Sequence, residues 1–450
     1  MTTPLRLRAI ALFALPALAC AVPDVPVERP APAPAALRDA SERAIERAVD
    51  ARNADALALL ERLVNINSGT MNFAGVRQVG AVLRAELDAL GFTTRWVDGA
   101  EFGRAGHLVA ERAGTGPRLL LIGHLDTVFE PTSPFQRFER LSDTTARGPG
   151  IIDMKGGDVI IVHALKALRA AGALERMAIT IVMNGDEEHA GEPQAAARRA
   201  LVAAANGAAA AIGFEDGDGD PRTANTARRG AASWTLRSAG TPAHSSQIFH
   251  DDVGAGAIFE AARVLDAFRV RLAGQPHLTF NPGVALGGTA VTLDAPENQG
   301  SVSGKTNVVA KEAVVQGDLR TLSPEQLAEA KAVMRDIVAR PLPHTTSAIE
   351  FDDGYPPMAP TDGNRRLLAL YDAVSRDLGQ GPVTADDPWK AGAADVSFVA
   401  GLVPMALDGI GLAGRDDHTD KETADLRMLP ALTKRAAILL YRLNQSGQPR

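Results

Sequence analysis

The sequence predicts an α/β protein: a mostly parallel sheet with helices on both faces, interrupted by an inserted α+β segment. Three observations predict it. Continuous apolar runs such as Leu119-Leu120-Leu121-Ile122 and Ala178-Ile179-Thr180-Ile181-Val182-Met183 read as strands buried on both faces. Stretches with helical spacing alternate with them, as in Val159, Val162, Leu165 and Leu168. Near Gly230 the rhythm changes to a β-α-β-β-α-β order of ferredoxin-like type. At 450 residues the chain exceeds one ordinary core.

Taken in order, apolar spacing without Gly or Pro predicts one helix over about 37–63 and a second over Val76–Leu90, closed by Gly91. Arg95–Val97 and His107–Ala110 read as strands, followed by the run that ends Gly123-His124-Leu125-Asp126-Thr127. If that strand continues through Asp126, His124 and Asp126 share a side. Next come a helix (Gly156–Ala171), a strand (Ala178–Met183), an Ala-rich helix (Pro193–Ala205) and a strand (Ala208–Phe214). The inserted part reads as strand Ala232–Arg237, helix Val253–Val270, strand-like runs Gly288–Leu293 and Ala313–Leu322, a helix opened by Ser323-Pro324, and strand Ser347–Phe351. Sheet-and-helix rhythm resumes at about Asn364, so 37–229 and 356–450 are two parts of one domain and 230–355 is the insert.

Apolar content of 46% and charged content of 22% are those of a soluble globular protein. A net charge of -7 without a basic block argues against nucleic acid as partner, and 4% aromatics argue against stacking platforms. Arg6 and Arg8 precede a short apolar core that ends in Ala17-Leu18-Ala19-Cys20, so residues 1–19 read as a secretory signal peptide. The expected location is the periplasm or, with a lipid on Cys20, the outer membrane of a bacterium; plain cleavage after Ala19 stands equal to lipidation. Cys20 is the single cysteine, so no intrachain disulfide forms. Residues 20–36 form a tether, with five prolines between Pro23 and Pro34.

Acidic residues and histidines stand at the ends of the predicted strands. They are His124 and Asp126; Asp153 in Gly148-Pro149-Gly150-Ile151-Ile152-Asp153-Met154-Lys155-Gly156-Gly157; Asp186-Glu187-Glu188; Glu215-Asp216; and Asp416-Asp417-His418. In an open α/β sheet such ends share one rim. Histidines and carboxylates without cysteine suit zinc or a related divalent ion. One carboxylate shared by two ions would give a two-metal site, and a spare Glu would serve as base on a water.

These motifs resemble those of the co-catalytic zinc peptidases that include glutamate carboxypeptidase, acetylornithine deacetylase, succinyl-diaminopimelate desuccinylase and aminoacylase. The resemblance covers roughly residues 50 to 445. It implies a zinc-peptidase catalytic domain with an inserted lid or dimerisation domain, and two Zn2+ per subunit, with Co2+ or Mn2+ as alternatives. It further implies that Asp153 bridges the ions, that His124 and Glu215 complete one site, and that Glu188 and His418 complete the other. Asp126 would orient His124, and Glu187 would be general base and then acid. Asp216 is the rival to Glu215, and Asp417 to His418.

The lid segment Ser238 to Ser245 resembles the family's, which implies that His244 helps hold the oxyanion. Asn307 would contact substrate and Arg320 would grip its carboxylate. Ala391-Gly392-Ala393-Ala394-Asp395 resembles a Gly-rich substrate loop around Gly392, although two Gly positions are Ala. Arg228-Arg229 reads as a solvated hinge, and His107, His163, His189, His250, His277 and His344 stand outside the matched roles. The expected activity is amide hydrolysis by an exported exopeptidase of glutamate carboxypeptidase type. An N-acyl amino acid deacylase is the alternative; a metal-free binding protein is the reading from another class. The expected partners are a peptide or N-acyl amino acid with a free carboxylate and a second copy of the chain, bound through the lid.

Overall fold

The computed structural model describes residues 39–294 and 299–446; the expected signal peptide, the tether and Cys20 lie outside them. In chain order the elements are helices α1 (Ala40–Ala51), α2 (Asn53–Val64) and α3 (Phe73–Ala89), strands β1 (Thr93–Asp98), β2 (Gly106–Arg112) and β3 (Arg118–His124), helix α4 (Lys155–Ala170), and strands β4 (Ala178–Asn184) and β5 (Ala210–Gly213). Beyond them lie β6 (Ala231–Gly240), α5 (Gly256–Leu272), β7 (Thr279–Gly288), β8 (Glu312–Arg320), α6 (Pro324–Val338), β9 (Thr345–Tyr355), α7 (Asp362–Asp377), β10 (Ala406–Leu407) and α8 (Met428–Ser446).

The first sheet runs β1-β2-β4-β3-β5-β10. Its β4, β3, β5 and β10 are parallel, and β1 and β2 are antiparallel additions at one edge. The alternation along β3 shows how both faces are covered. Leu119 and Leu121 enter the core built with α1–α4 and α8, while Leu120 and Ile122 enter another with Leu201, Val396 and Val399. Each such fully buried side chain stabilises the fold by about 1.5–3 kcal/mol relative to exposure. Gly123 lets α4 approach, since a Cβ there would lie 2.5 Å from Asp158 Oδ1.

The second sheet, β7-β8-β6-β9, is antiparallel throughout and buries its own cluster around Trp234, Phe268 and Met334 beneath α5 and α6. Its element order is the expected β-α-β-β-α-β, but β7 takes the place given to Gly288–Leu293, and Ala290–Asp294 instead pairs with Gln299–Ser303 in a separate hairpin.

Four local readings are corrected. The helix expected over 37–63 is two, broken at Arg52, and the Ala-rich helix is two short ones, Gln194–Ala197 and Arg199–Ala205, broken at Arg198. At that break Arg198 turns its guanidinium inward and is 1% exposed. Strand β7 escaped the sequence reading because Pro282 and several glycines interrupt its pattern; Pro282 sits at a register shift on an edge strand, where the missing N–H is tolerated. Strand β3 ends at His124, so Asp126 is not placed by strand alternation. No helix among the described residues is long and apolar enough to cross a membrane.

Candidate metal centre

Parallel neighbours β4, β3 and β5 end on the same side, so the loops that leave them meet at one rim. His124 is the last residue of β3; Glu215 lies just past β5, Glu188 just past β4, and Asp153 just before α4. His418 comes from a loop near α8, at φ 56°, in the left-handed region that residues other than glycine seldom occupy.

Asp153 stands between the two histidines. Its Oδ1 lies 2.9 Å from His124 Nε2 and its Oδ2 lies 2.9 Å from His418 Nε2. Each histidine has a glutamate of its own: Glu215 Oε1 is 3.5 Å from His124 Nε2, and Glu188 Oε2 is 3.2 Å from His418 Nε2. Donor atoms of His124, Asp153 and Glu215 lie within 4.8 Å of one another, as do those of Asp153, Asp417 and His418. Asp417 therefore stands beside His418, where the sequence reading set it up as a rival. Asp216 is in neither group.

The electrostatics fit a cation. Burial, then the charge of Asp153, pushes the Glu188 carboxyl up to about 8. Burial also raises Glu215, to about 7, with the Asp153 charge adding to it. Glu187 is pushed well above the usual carboxylate range by burial and by Glu215. Hydrogen bonds to Asp153 and Glu188 hold the His418 imidazolium up to about 11. So many buried acids ionise together only beside positive charge, supplied here by the imidazolium protons that a metal ion would displace. Glu188 Oε1 is also buried without a hydrogen-bond partner, while its Oε2 is the oxygen beside His418. A donor set of imidazole and carboxylate suits zinc, cobalt or manganese.

Acids that the sequence reading did not single out hold these residues. Glu422 is fully buried and accepts from the N–H groups of Gly150 (2.8 Å), Ile152 (2.9 Å) and Asp153 (3.2 Å), which fixes the loop before α4. Asp408 accepts from Glu215 N at 3.3 Å and pairs with Arg228 Nε at 2.7 Å. Arg228 is thus buried in an ion pair, and only Arg229 keeps the expected partial exposure. Asp126 does more than orient His124. Its Oδ1 is 3.5 Å from His124 Nδ1, while its two oxygens accept from Glu187 N and Glu188 N at 3.1 Å each and from Thr70 Oγ1 at 2.6 Å. His124 Nδ1 donates to the backbone oxygen of Asp126 at 3.1 Å. Among the unassigned histidines, His107 is buried: Gly185 N donates to its Nδ1 at 3.2 Å, so Nε2 carries the proton given to Ala197 O at 2.7 Å.

The remaining candidates lie elsewhere. His244 is exposed and bridges to Val308, while Ser245 N donates to Asn307 O, so an isolated bridge beyond the strands of the second sheet brings the backbone at His244 and Asn307 together. Among the described residues no hydrogen bond or ion pair joins either to the cluster. Arg320 is half-buried, with Asp318 Oδ2 3.2 Å from its Nε. Its cross-strand partner Thr279 accepts from Arg229. Gly392 gives its carbonyl to Arg228, and Asp395, at the end of its loop, is buried against Asn184 and Arg198.

Residues 120–442 match the model of peptidase family M20/M25/M40. The chain is 26% identical to carboxypeptidase G2 of Pseudomonas sp. (strain RS-16) over 388 residues, 85% of this chain and 88% of that protein. It is 33% identical to succinyl-diaminopimelate desuccinylase of Gluconacetobacter diazotrophicus over 139 residues, 30% of this chain and 35% of that one. A dinuclear metal-binding peptidase of Bacillus subtilis shares the fold with a TM-score of 0.62 at 16% identity, covering 88% of this chain and 99% of its own.

Proposed function

The chain belongs to peptidase family M20/M25/M40, and from that premise we propose that it is a two-metal exopeptidase of glutamate carboxypeptidase type. One observation carries this reading: the two oxygens of Asp153 face two histidines, and each histidine has its own glutamate. In the proposed assignment Asp153 bridges, His124 and Glu215 serve one ion, and His418 and Glu188 serve the other. When bound, the ions supply Lewis-acid polarisation of the scissile carbonyl and lower the pKa of water.

The chain's own residues do the rest. Glu187 takes a proton from the attacking water and returns it to the leaving amine nitrogen. Asp126 holds both backbone N–H groups of the Glu187-Glu188 pair, which would let one carboxylate serve the cluster and the other the substrate. His244 and Asn307, adjacent beyond the strands of the second sheet, hold the oxyanion and substrate; Arg320 takes the substrate carboxylate. The second sheet would act as a lid and join two copies, with His244 serving its own site or the partner's. Zinc as the native metal, and export by the N-terminal 19 residues with or without a lipid on Cys20, belong to the same proposal.

The match to a desuccinylase favours a second reading, N-acyl amino acid deacylation with the same residues. The test is metal analysis with a substrate panel of dipeptides ending in Glu and N-acetyl amino acids, on wild type and Glu187→Ala. The expected result is about two ions per chain, preference for the dipeptides, and a loss of at least about 1,000-fold in the variant. Preference for the acetyl series would install the second reading, and unchanged hydrolysis by the metal-loaded variant would remove Glu187 as base.

A further inference from the structure

Resting on Glu187 as base, we propose that Tyr355 is a positioning residue that ties the backbone of Glu187 to the point where the second sheet rejoins the first. Both polar backbone groups of Glu187 are held, each from a different sheet. Its N–H donates to Asp126 Oδ1 at 3.1 Å, beyond the end of β3. Its carbonyl accepts from the hydroxyl of Tyr355, the last residue of β9, at 2.8 Å. Fixing a residue's N–H and C=O together fixes its φ and ψ, and so the direction in which its carboxylate leaves the chain.

Tyr355 is itself held and aimed. Its hydroxyl accepts from Arg198 Nη2, and its ring packs edge-on against Phe398. Arg198 anchors the same stretch further back. Its Nη1 donates to Asp186 Oδ1 at 2.6 Å, its Nη2 reaches Asp186 O at 3.1 Å, and its Nε lies 2.8 Å from Asp395 Oδ1. Asp395 in turn accepts from Asn184 at 2.6 Å. The aim comes from a bulge: β9 spends one extra residue against β6 between the pairs Asp352–Ser233 and Tyr355–Ala231. Bulges re-aim a side chain in this way. Gly354 makes it possible, at φ 48° and with a Cβ position 2.1 Å from Ala231 O. The base is therefore seated only while the second sheet is seated.

The test compares full-length, metal-loaded wild type with Tyr355→Phe and Gly354→Ala, by hydrogen exchange and by kinetics on the preferred substrate. In Tyr355→Phe the 184–191 segment exchanges about tenfold faster while 118–124 is unchanged, and kcat falls about tenfold with KM within twofold. Gly354→Ala, which keeps the hydroxyl but cannot hold the bulge that aims it, gives the same pattern at least as strongly. Wild-type exchange across 184–191 in Tyr355→Phe overturns the proposal, as does a fall in kcat matched by faster exchange everywhere. Exchange is read without turnover, so a wild type inactive on every substrate would sink the functional reading and leave this one to be judged.

Discussion

The two halves of the candidate metal centre meet at Asp153 but are built by different means. The deep half hangs on strand ends: the His124 side chain is 1% exposed, and Glu215 is steadied by Asp408, itself clamped by Arg228. The open half is assembled from loops: the His418 side chain is 54% exposed and its backbone is left-handed, with exposed Asp417 beside it. A sheet sets the first half through packing, whereas the second depends on a distant loop being brought back. The difference predicts unequal hold on two ions by nearly equal donor sets.

Removing the proposed shared ligand tests whether the halves are one unit. Asp153→Asn should abolish both ions and lower hydrolysis by at least about 1,000-fold, read by metal analysis and turnover. Retention of one ion would show the halves to be independent. Splitting them comes next. His418→Ala should keep about one ion and lose activity about 100-fold, while His124→Ala should also weaken the ion left at His418. A chelator should strip wild type in two steps, the His418 side first; release in one step would erase the proposed inequality. Glu422→Gln should weaken metal affinity about 10- to 100-fold, since it loosens the loop that presents Asp153 to both halves.

The last test leaves the metal ions aside and probes the packing behind the deep half. His163 lies buried in α4, which packs on β3, and burial holds its imidazole down to about 4. The unfolded chain takes up that proton near pH 6.5. Between those values the unfolded state binds more protons, so stability falls as pH falls from about 6.5 to 4, by about 3 kcal/mol. His163→Gln should flatten that slope in urea melts at a series of pH values. An unchanged slope would assign the acid sensitivity to other groups.

Legibility in the sequence divides along the same line. Buried strands announce themselves as apolar runs, and polar residues at their ends stand out; hence the α/β fold, the family and the candidate ligands are legible in the residues alone. Glu422, Asp408, Thr70, Tyr355 and Arg198 are not. Each is a single polar residue with no local pattern, and its meaning comes from tertiary contact: Glu422 meets Gly150 across 272 positions, and Tyr355 meets Glu187 across 168. The one available signal was the short acidic run at the C-terminal motif, where Glu422 lies four residues after His418. Arg198 was hidden in an Ala-rich stretch whose average helical character concealed the break that turns it inward.

The reach of Glu422 back to Gly150, Ile152 and Asp153 also sets a timetable. During synthesis the residues of the deep half emerge early, but the clamp on their shared loop and the proposed ligand of the open half, His418, emerge only after most of the chain. A nascent or truncated chain would therefore hold a sheet and a partial pocket but no completed centre. Hydrolytic competence would arrive last, coupled to the chain being whole.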